Sequence, residues 1–387
     1  MEEQLAEIIE TCRIAVEDPD YPEVKKWLEE HPDGKVLGHF QVYFPEELAH
    51  AAGMFPLKLK GFDRTVQLKE ADAHIAAFVC SILRTCLEQA LSGRLDFLDM
   101  YVTHPICDAA RHLNGVWTRL FDDISCQILY LPQNAASPYA HAYLVAEYKR
   151  IAAVIEEITG REITDEALRN SIEVFNENRR LLRELYQIRR ETPWQVSLTE
   201  SYMLMTAAAA MPRERHNELL RQALPLIRAR DHRPQDKLRI VFEGGYCEQP
   251  PIELMSVLQD VAYVVDDDFM IGLRWILDDI PTEGDPIENL ARAYLENSSY
   301  SPVQHDPRKP KEKMLFNRIQ EAGAEAAIVA APKMCEPGLE EQVTYDAALV
   351  AAGIPHLVME FEEKTANFEQ MRMEVETFAE SLLFEFV

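Results

Sequence analysis

The sequence contains no CxxC pair, although it has seven cysteines. They are scattered along the chain, at Cys12, Cys80, Cys86, Cys107, Cys126, Cys247 and Cys335. Cysteines spread in this way do not form the framework of a disulfide-rich secreted domain, and they indicate a reducing, cytoplasmic compartment. The lack of close pairs leaves two interpretations open, because free cysteines often only fill the core.

Several sequence motifs are also absent. No apolar run approaches the ~20 residues that are needed to cross a bilayer. The N-terminal segment MEEQLAEIIETC is acidic and amphipathic, unlike a secretory signal or an arginine-rich transit peptide. There is no GxxxxGK[ST] for ATP, no GxGxxG for a dinucleotide, no GxSxG and no HExxH. The sequence therefore predicts neither a membrane protein nor a P-loop ATPase.

Basic residues are scarce, with 39 Lys and Arg against 66 Asp and Glu, which gives a formal net charge of −27. Nucleic acid is excluded as a main partner, because binding phosphates requires a basic surface. The most basic segment, DPRKPKEK at 306–313, is interpreted as a solvated linker rather than an anion site. The acidic residues Asp266–Asp268 are interpreted as a solvated cap of the following helix, although a cation could bind there.

The 387 residues are enough for two or three domains with proper cores. Strand-like and helix-like segments alternate in residues 35–136 and again in residues 235–387. Only helical periodicity is found in residues 137–234, and residues 1–34 form an N-terminal helical segment. This pattern predicts an α/β protein with two Rossmann- or flavodoxin-like parallel-sheet domains joined by a helical region.

Two cysteines follow the same local pattern of an apolar strand, a short loop, the cysteine and a helix. The segment FLDMYVTHPICDAARHL places Cys107 there, and AAIVAAPKMCEPGLEEQV places Cys335 there. Both loops would open at the carboxyl ends of strands, where ligands bind in open α/β sheets. A helix N-terminus also favours a thiolate. Together with Cys80, they would form a soft, anionic site that suits an iron–sulfur cluster.

The segment ADAHIAAFVCSILRTCLEQAL predicts a single helix that contains both Cys80 and Cys86. Cys86 falls within the apolar stripe of this helix and is predicted to be core. Cys80 lies roughly 100° from the stripe, and Arg84 follows one turn later. A cation beside Cys80 would lower the pKa of its thiol and could stabilise the negative charge of a bound cluster.

Cys247 is an alternative ligand. The segment RIVFEGGYCEQPPIELM repeats the strand–loop–helix pattern, and its two glycines allow close backbone approach. Cys12 lies in a polar N-terminal helix, and Cys126 lies just before the strand-like QILYLP. Both are interpreted as structural or exposed.

Three segments resemble the 2-hydroxyacyl-CoA dehydratase and benzoyl-CoA reductase family. They are GHFQVYFPEELAHAAGMFPLKL, FVCSILRTCLEQALSGRLDFLDMYVTHPICDAARHL and KMCEPGLEEQVTYDAALVAAGIPHLVMEFEE. Together they cover most of both α/β halves and contain Cys80, Cys107 and Cys335. The length of the chain and the segment FEGGYCEQPPIEL are most similar to the C (gamma) subunit, the smaller catalytic one, of the ATP-dependent reductases in this family.

The resemblance implies a [4Fe–4S] cluster held by Cys80, Cys107 and Cys335. It implies an iron–sulfur catalytic subunit of an ATP-dependent benzoyl-CoA reductase, which converts the aromatic ring of benzoyl-CoA to a cyclic dienoyl-CoA. The implied partners are a homologous catalytic subunit and an ATP-hydrolysing iron–sulfur activator that supplies low-potential electrons. The missing nucleotide motif is consistent with this division of labour.

Two other functions stay open. One is a subunit of a 2-hydroxyacyl-CoA dehydratase, in which a ketyl radical drives loss of a hydroxyl group. The other is a non-catalytic scaffold subunit, whose cysteines pack the core or bind zinc. No catalytic residue is assigned. His104, three residues before Cys107, is the nearest candidate for a proton donor and is interpreted as a structural histidine.

Overall fold

The computed structural model describes residues 1–40, 44–61, 63, 65–245, 248–269, 278–298, 306–362 and 368–385. This part of the chain contains two four-stranded sheets whose paired strands are all parallel. The predicted α/β class with two Rossmann- or flavodoxin-like domains is confirmed. None of the helices described is both long and apolar enough to cross a bilayer. Cys247 lies outside the described residues.

The first sheet has the strand order β2-β1-β3-β4. Its strands are β1 (Lys35–Phe40), β2 (Met54–Lys58), β3 (Met100–Thr103) and β4 (Ser125–Ile128). Its helices are α3 (Glu46–Ala51), α4 (Ser81–Leu91) and α5 (Asp108–Leu120). Because β2 and β3 lie on opposite sides of β1, the connections diverge there and a crevice opens at the carboxyl ends of the strands.

The second sheet has the equivalent order β6-β5-β7-β8. Its strands are β5 (Leu238–Glu243), β6 (Ala262–Asp267), β7 (Ala326–Pro332) and β8 (His356–Phe361). Among the described residues, the helices of this half are α10 (Ile252–Val261), α11 (Pro286–Asn297), α12 (Lys311–Glu321), α13 (Glu336–Ala352) and α14 (Glu369–Glu385). The third strand of each sheet therefore leads to one of the predicted cysteine loops, β3 to Cys107 and β7 to Cys335.

The region between the two sheets is helical, as its periodicity predicts. It contains α6 (Ala140–Thr159), α7 (Asp165–Glu191), α8 (Leu198–Thr206) and α9 (Arg213–Arg228). Buried ion pairs attach it to the first sheet domain. Arg179 of α7 pairs with Glu47, and Arg213 of α9 pairs with Glu46. Since both carboxylates lie on α3, this short helix is held directly against α7 and α9.

The N-terminal segment consists of two helices, α1 (Glu2–Glu17) and α2 (Pro22–Glu30), which join different cores. The buried face of α1, including Cys12, packs in the core of the second sheet. Val24 of α2 packs in the core of the first sheet. Residues 280–295 cross over in the same way, because Ile280 and Tyr294 contribute to the first core. Segments distant in sequence therefore cover both sheets.

The predicted solvated acidic cap is wrong. Asp266, Asp267 and Asp268 are all buried at the end of β6. Asp266 and Asp267 form ion pairs with Arg190 and Arg189 of α7. The carboxylates of Asp266 and Asp267 therefore neutralise arginines from the helical region. They can be buried because each charge has a partner of opposite sign.

The basic segment 306–313 is only partly solvated, which corrects the linker interpretation. Arg308 is bound by Asp306 at 2.8 Å. Lys309 donates to the backbone oxygen of Ser298 at 3.1 Å, and burial lowers the pKa of its ammonium group to about 8. The Lys309 ammonium group therefore anchors the basic segment to Ser298, the residue that follows α11.

Candidate functional site

Each of the three predicted cysteines is the residue that caps the N-terminus of a helix. Cys80 precedes α4, Cys107 precedes α5 and Cys335 precedes α13. The thiol of Cys107 accepts a hydrogen bond from the backbone amide of Ala110 at 3.4 Å. The positive ends of three helix dipoles therefore point towards three sulfur atoms.

The predicted single helix around Cys80 is wrong, because α4 begins only at Ser81. A short 3-10 turn, Ala71–Ala73, precedes it, and Phe78 is 78% exposed. The physical reason lies in Glu88, whose carboxylate accepts hydrogen bonds from the backbone amides of Lys69 and Ala71, each at 2.9 Å. These bonds fold the preceding segment back along α4 and leave Cys80 at its start.

The three cysteines line one cavity of about 450 Å³. The cavity lies at the carboxyl ends of the strands, with Cys80 and Cys107 on the first sheet domain and Cys335 on the second. Its other lining residues are mainly apolar, and they include Phe40, Ile75, Phe78, Val79, Ile82, Leu83, Ile106, Leu113, Val116, Met334 and Pro337. The predicted convergence of the three cysteines on one crevice is therefore observed.

The thiols are held close to one another in a poorly hydrated environment. Burial, with smaller contributions from the neighbouring Cys335 and Cys107, raises the pKa of Cys80 to about 12 against the opposing effect of the Leu83 amide. Burial also raises the pKa of Cys107. The amides of Ala110 and Ala109 at the start of α5 lower the pKa of Cys107, as a helix N-terminus is expected to do, but burial outweighs them. The same balance holds for Cys80 and the Leu83 amide. Without a cation, these two sulfurs stay protonated at neutral pH.

Arg84 lies near Cys80, as predicted, and lowers the pKa of its thiol slightly. Its guanidinium group donates to the backbone oxygen of Val79 at 3.2 Å and forms an ion pair with Asp72 at 2.9 Å. Arg84 therefore holds in place the segment that precedes Cys80. It also puts a positive charge near the Cys80 thiol.

Cys86 is fully buried in the first core, which confirms its prediction as a core residue. Burial raises the pKa of its thiol well above the ordinary value. Cys126 lies within β4 rather than just before a strand. Neither residue lines the cysteine cavity.

His104 is buried, and its Nδ1 donates to the backbone oxygen of Leu129 at 3.2 Å. Burial lowers its pKa to about 4, so that the ring is neutral at pH 7. It does not line the cavity, which agrees with its interpretation as a structural histidine.

Sequence reasoning missed two histidines that do line the cavity, His74 and His112. His112 could have been found from helical spacing. It lies one turn after Asp108 on α5, and Asp108, Ala109 and Leu113 line the cavity on the same helix face. His74 had no such signal, because it follows the 3-10 turn that the sequence predicted as helix.

The donor set fits a soft metal group. Three thiols on separate helices face one largely apolar cavity, and a bound cation would remove the cost of ionising them there. Within the described ranges, no three His, Cys, Asp or Glu side chains are gathered around a single point as ligands of one ion. Cysteine thiolates are the protein ligands of iron–sulfur clusters, in which each thiolate binds a different iron.

The fold and the site define a class of α/β protein, in which two doubly wound sheets present three helix-capping cysteines to one crevice. The family described as 2-hydroxyglutaryl-CoA dehydratase, D-component, matches residues 41–382. The chain belongs to this family, and the predicted resemblance is confirmed.

The relatives include subunits of a reductase and of dehydratases. The chain is 34% identical to the C subunit of benzoyl-CoA reductase from Thauera aromatica, over 97% of this chain and 98% of that protein. It is 28% identical to the beta subunit of lactoyl-CoA dehydratase from Anaerotignum propionicum, over 89% and 91% of the two chains. It is 27% identical to the beta subunit of (R)-2-hydroxyglutaryl-CoA dehydratase from Acidaminococcus fermentans, over 90% and 92%. These relatives are enzyme subunits named for coenzyme A thioesters.

Proposed function

We propose that this chain is the iron–sulfur subunit of an ATP-dependent benzoyl-CoA reductase, which reduces the aromatic ring of benzoyl-CoA to a cyclic dienoyl-CoA. One observation carries the proposal, namely the meeting of Cys80, Cys107 and Cys335 at three helix N-termini in one apolar cavity. Similarity along 97% of the chain to one subunit of a benzoyl-CoA reductase supports the choice of reaction.

Cys80, Cys107 and Cys335 would hold a [4Fe–4S] cluster, which supplies electrons one at a time at low potential. The chain's own contribution is the environment of the sulfurs. The N-terminal amides of α4, α5 and α13 stabilise the negative charge of thiolates and sulfides. The apolar lining of Ile82, Leu113 and their neighbours excludes water, which would otherwise protonate a reduced ring early.

Adding an electron to a benzene ring is very unfavourable, and the driving force has to come from outside this chain. We propose that an ATP-hydrolysing iron–sulfur partner delivers the electrons, because the sequence has no P-loop of its own. The enzyme is completed by a homologous catalytic subunit. The names of the relatives, each of which is one subunit of a larger enzyme, support this arrangement.

The second candidate is a subunit of a 2-hydroxyacyl-CoA dehydratase, which the 28% and 27% identical relatives favour. It would use the same three thiols with a different acyl group. Assays of the purified complex with benzoyl-CoA and with a 2-hydroxyacyl-CoA distinguish the two reactions. Turnover of the hydroxyacyl thioester alone would replace the reductase assignment.

A zinc-binding scaffold is less well supported. Structural zinc usually takes four ligands at ~2.0–2.3 Å from one centre, whereas three cysteine thiols line the cavity. Counting iron, sulfide and zinc after anaerobic purification separates the scaffold from the enzyme.

The ligand set is tested by replacing Cys80, Cys107 and Cys335 with alanine one at a time. Each variant should lose iron and activity, because each helix supplies one thiolate. Iron content and the visible absorption of the anaerobically purified protein measure the loss. A variant with full iron content would remove its cysteine from the set, and Cys247 would be the next residue to replace.

A further inference from the structure

A buried ion pair joins the two sheet domains beside the cysteine cavity. Lys58 is the last residue of β2, and its ammonium group lies 2.7 Å from Oε1 of Glu248, which follows β5 by a short loop. It also donates to Oε1 of Gln249 at 3.0 Å. These side chains are buried. The contact is therefore a water-excluded bond between residues 190 positions apart.

The same carboxylate binds the backbone that lies next to the helix that Cys80 caps. Oε2 of Glu248 accepts a hydrogen bond from the backbone amide of Gly61 at 2.6 Å. A Cβ atom at Gly61 would lie 2.3 Å from Ile82 and 2.5 Å from Glu248, so that any other residue there would displace one of these side chains. Ile82 belongs to the first turn of α4, two residues after Cys80. A carboxylate of the second domain therefore contacts the backbone against which this turn packs.

The pair is also fixed on the side of the second domain. The amide nitrogen of Gln249 donates to the backbone oxygen of Phe269 at 3.2 Å, just beyond β6. A buried ion pair adds little stability compared with apolar residues of the same volume, because both charges lose their hydration. Its directional bonds do, however, fix the relative placement of the groups that they join.

We propose that Lys58 and Glu248 form a positioning clamp that sets the separation of Cys335, on the second domain, from Cys80 and Cys107, on the first. The proposal rests on the proposed function only in assigning these thiols to a cluster. The clamp itself concerns where the two domains place their cysteines, and it can be measured without iron.

The test uses the full-length, iron-free chain and dibromobimane, a reagent that bridges nearby thiols. Mass spectrometry of the digested protein gives the ratio of Cys80–Cys335 bridges, which cross the domains, to Cys80–Cys107 bridges within one domain. Glu248→Gln should lose the bridge between domains and keep the one within the first domain. Glu243→Gln is the matched control, because it removes a buried carboxylate from an ion pair with Arg318 that lies within the second domain.

Lys58 supplies the second pair of variants. Lys58→Gln should reproduce the loss, and Lys58→Arg should retain the bridge between domains because it keeps the charge. An unchanged bridge ratio in folded Glu248→Gln and Lys58→Gln proteins would overturn the clamp. An equal change in Glu243→Gln would also overturn it, because the effect would then follow from general destabilisation.

Iron provides a separate readout. After anaerobic reconstitution, Glu248→Gln should lose iron faster than the wild-type chain when a chelator is present. A wild-type chain that forms the bridges but never binds iron would defeat the proposed function and leave the clamp in place. Iron binding together with an unaltered bridge ratio in the variants would defeat the clamp alone.

Discussion

Cys80 and Cys86 are six residues apart, and their surroundings give them different roles. Cys86 lies among the buried side chains of the first core, whereas Cys80 lines the cavity at the start of the helix. Burial raises the pKa of both thiols. The two cysteines therefore differ in whether they line the cavity, because the pKa is raised in both.

Replacing Cys86 with alanine should leave iron binding intact and lower the free energy of unfolding by about 1 kcal/mol, the cost of a small buried cavity. Chemical unfolding measures the stability, and iron content measures the site. Cys80→Ala provides the contrast, with iron lost. A folded Cys86→Ala protein without iron would show that the residue reaches the cluster.

Two buried histidines make stability depend on pH. Burial lowers the pKa of His104 to about 4, and burial together with Arg213 lowers that of His216 to about 3. Nδ1 of His216 accepts a hydrogen bond from the side-chain amide of Asn178 at 2.7 Å, which favours the neutral ring. Below the ordinary histidine pKa of ~6.5, the unfolded chain therefore binds protons that the folded chain does not.

The free energy of unfolding should consequently fall as the pH drops from about 6.5 towards 4, by an amount on the order of 1 kcal/mol per histidine at about pH 5.5. Urea unfolding at several pH values measures this slope. His216→Gln should show a shallower slope than the wild type, whatever its stability at pH 7. An identical slope in the variant would mean that His216 does not stay neutral in the folded state.

At the scale of elements, short segments at the ends of strands place the site. Met334, between β7 and Cys335, has a left-handed φ of 61° and is 64% exposed. A methionine rarely adopts this conformation without a tertiary constraint. The turn that it forms brings Cys335 to the start of α13.

Gly244, immediately after β5, has a φ of 131°, and a Cβ atom there would lie 1.6 Å from the carbonyl oxygen of Ala330. Gly244→Ala should therefore destabilise the second sheet severely, by more than about 4 kcal/mol. Gly353→Ala is the control, since Gly353 also has a positive φ, 66°, but open space around it. That change should cost about 1–2 kcal/mol from the backbone alone. Equal losses in thermal unfolding would contradict the close contact with Ala330.

At the scale of the whole molecule, two sheets of equivalent strand order face one crevice with their carboxyl ends. The third strand of each sheet leads to a cysteine, and the crossover after β2 supplies the remaining one. A site shared by two domains depends on how those domains are held together. The buried pair of Lys58 and Glu248 is one such connection.

Reconstitution under strict anoxia tests the proposed division of labour. The chain alone should neither bind nor hydrolyse ATP, and ring reduction should require the homologous subunit and the ATP-hydrolysing partner together. Association should weaken with salt, because this chain carries a net charge of −27. Omitting one component at a time identifies each requirement. Ring reduction by this chain with dithionite and no ATP would contradict the ATP-dependent assignment.

The sequence by itself determined the α/β class, the helical region and the strand–loop–helix position of Cys107 and Cys335. These features depend on local periodicity and on runs of apolar residues, which neighbouring positions specify. The core position of Cys86 was also readable, because its stripe neighbours Ile82 and Leu83 do lie on α4 and are buried with it. Resemblance of three segments to a known family added the prediction that Cys80, Cys107 and Cys335 form one ligand set.

Only the tertiary structure decided the start of α4, the burial of Asp266–Asp268 and the part that His74 and His112 take in the cavity lining. Each depends on partners distant in sequence, such as the carboxylate of Glu88 or the arginines of α7, or on a turn that such a partner imposes. The raised pKa values of the thiols have the same origin. A helix N-terminus is a local feature, but the desolvation that outweighs it comes from two domains closing around one cavity.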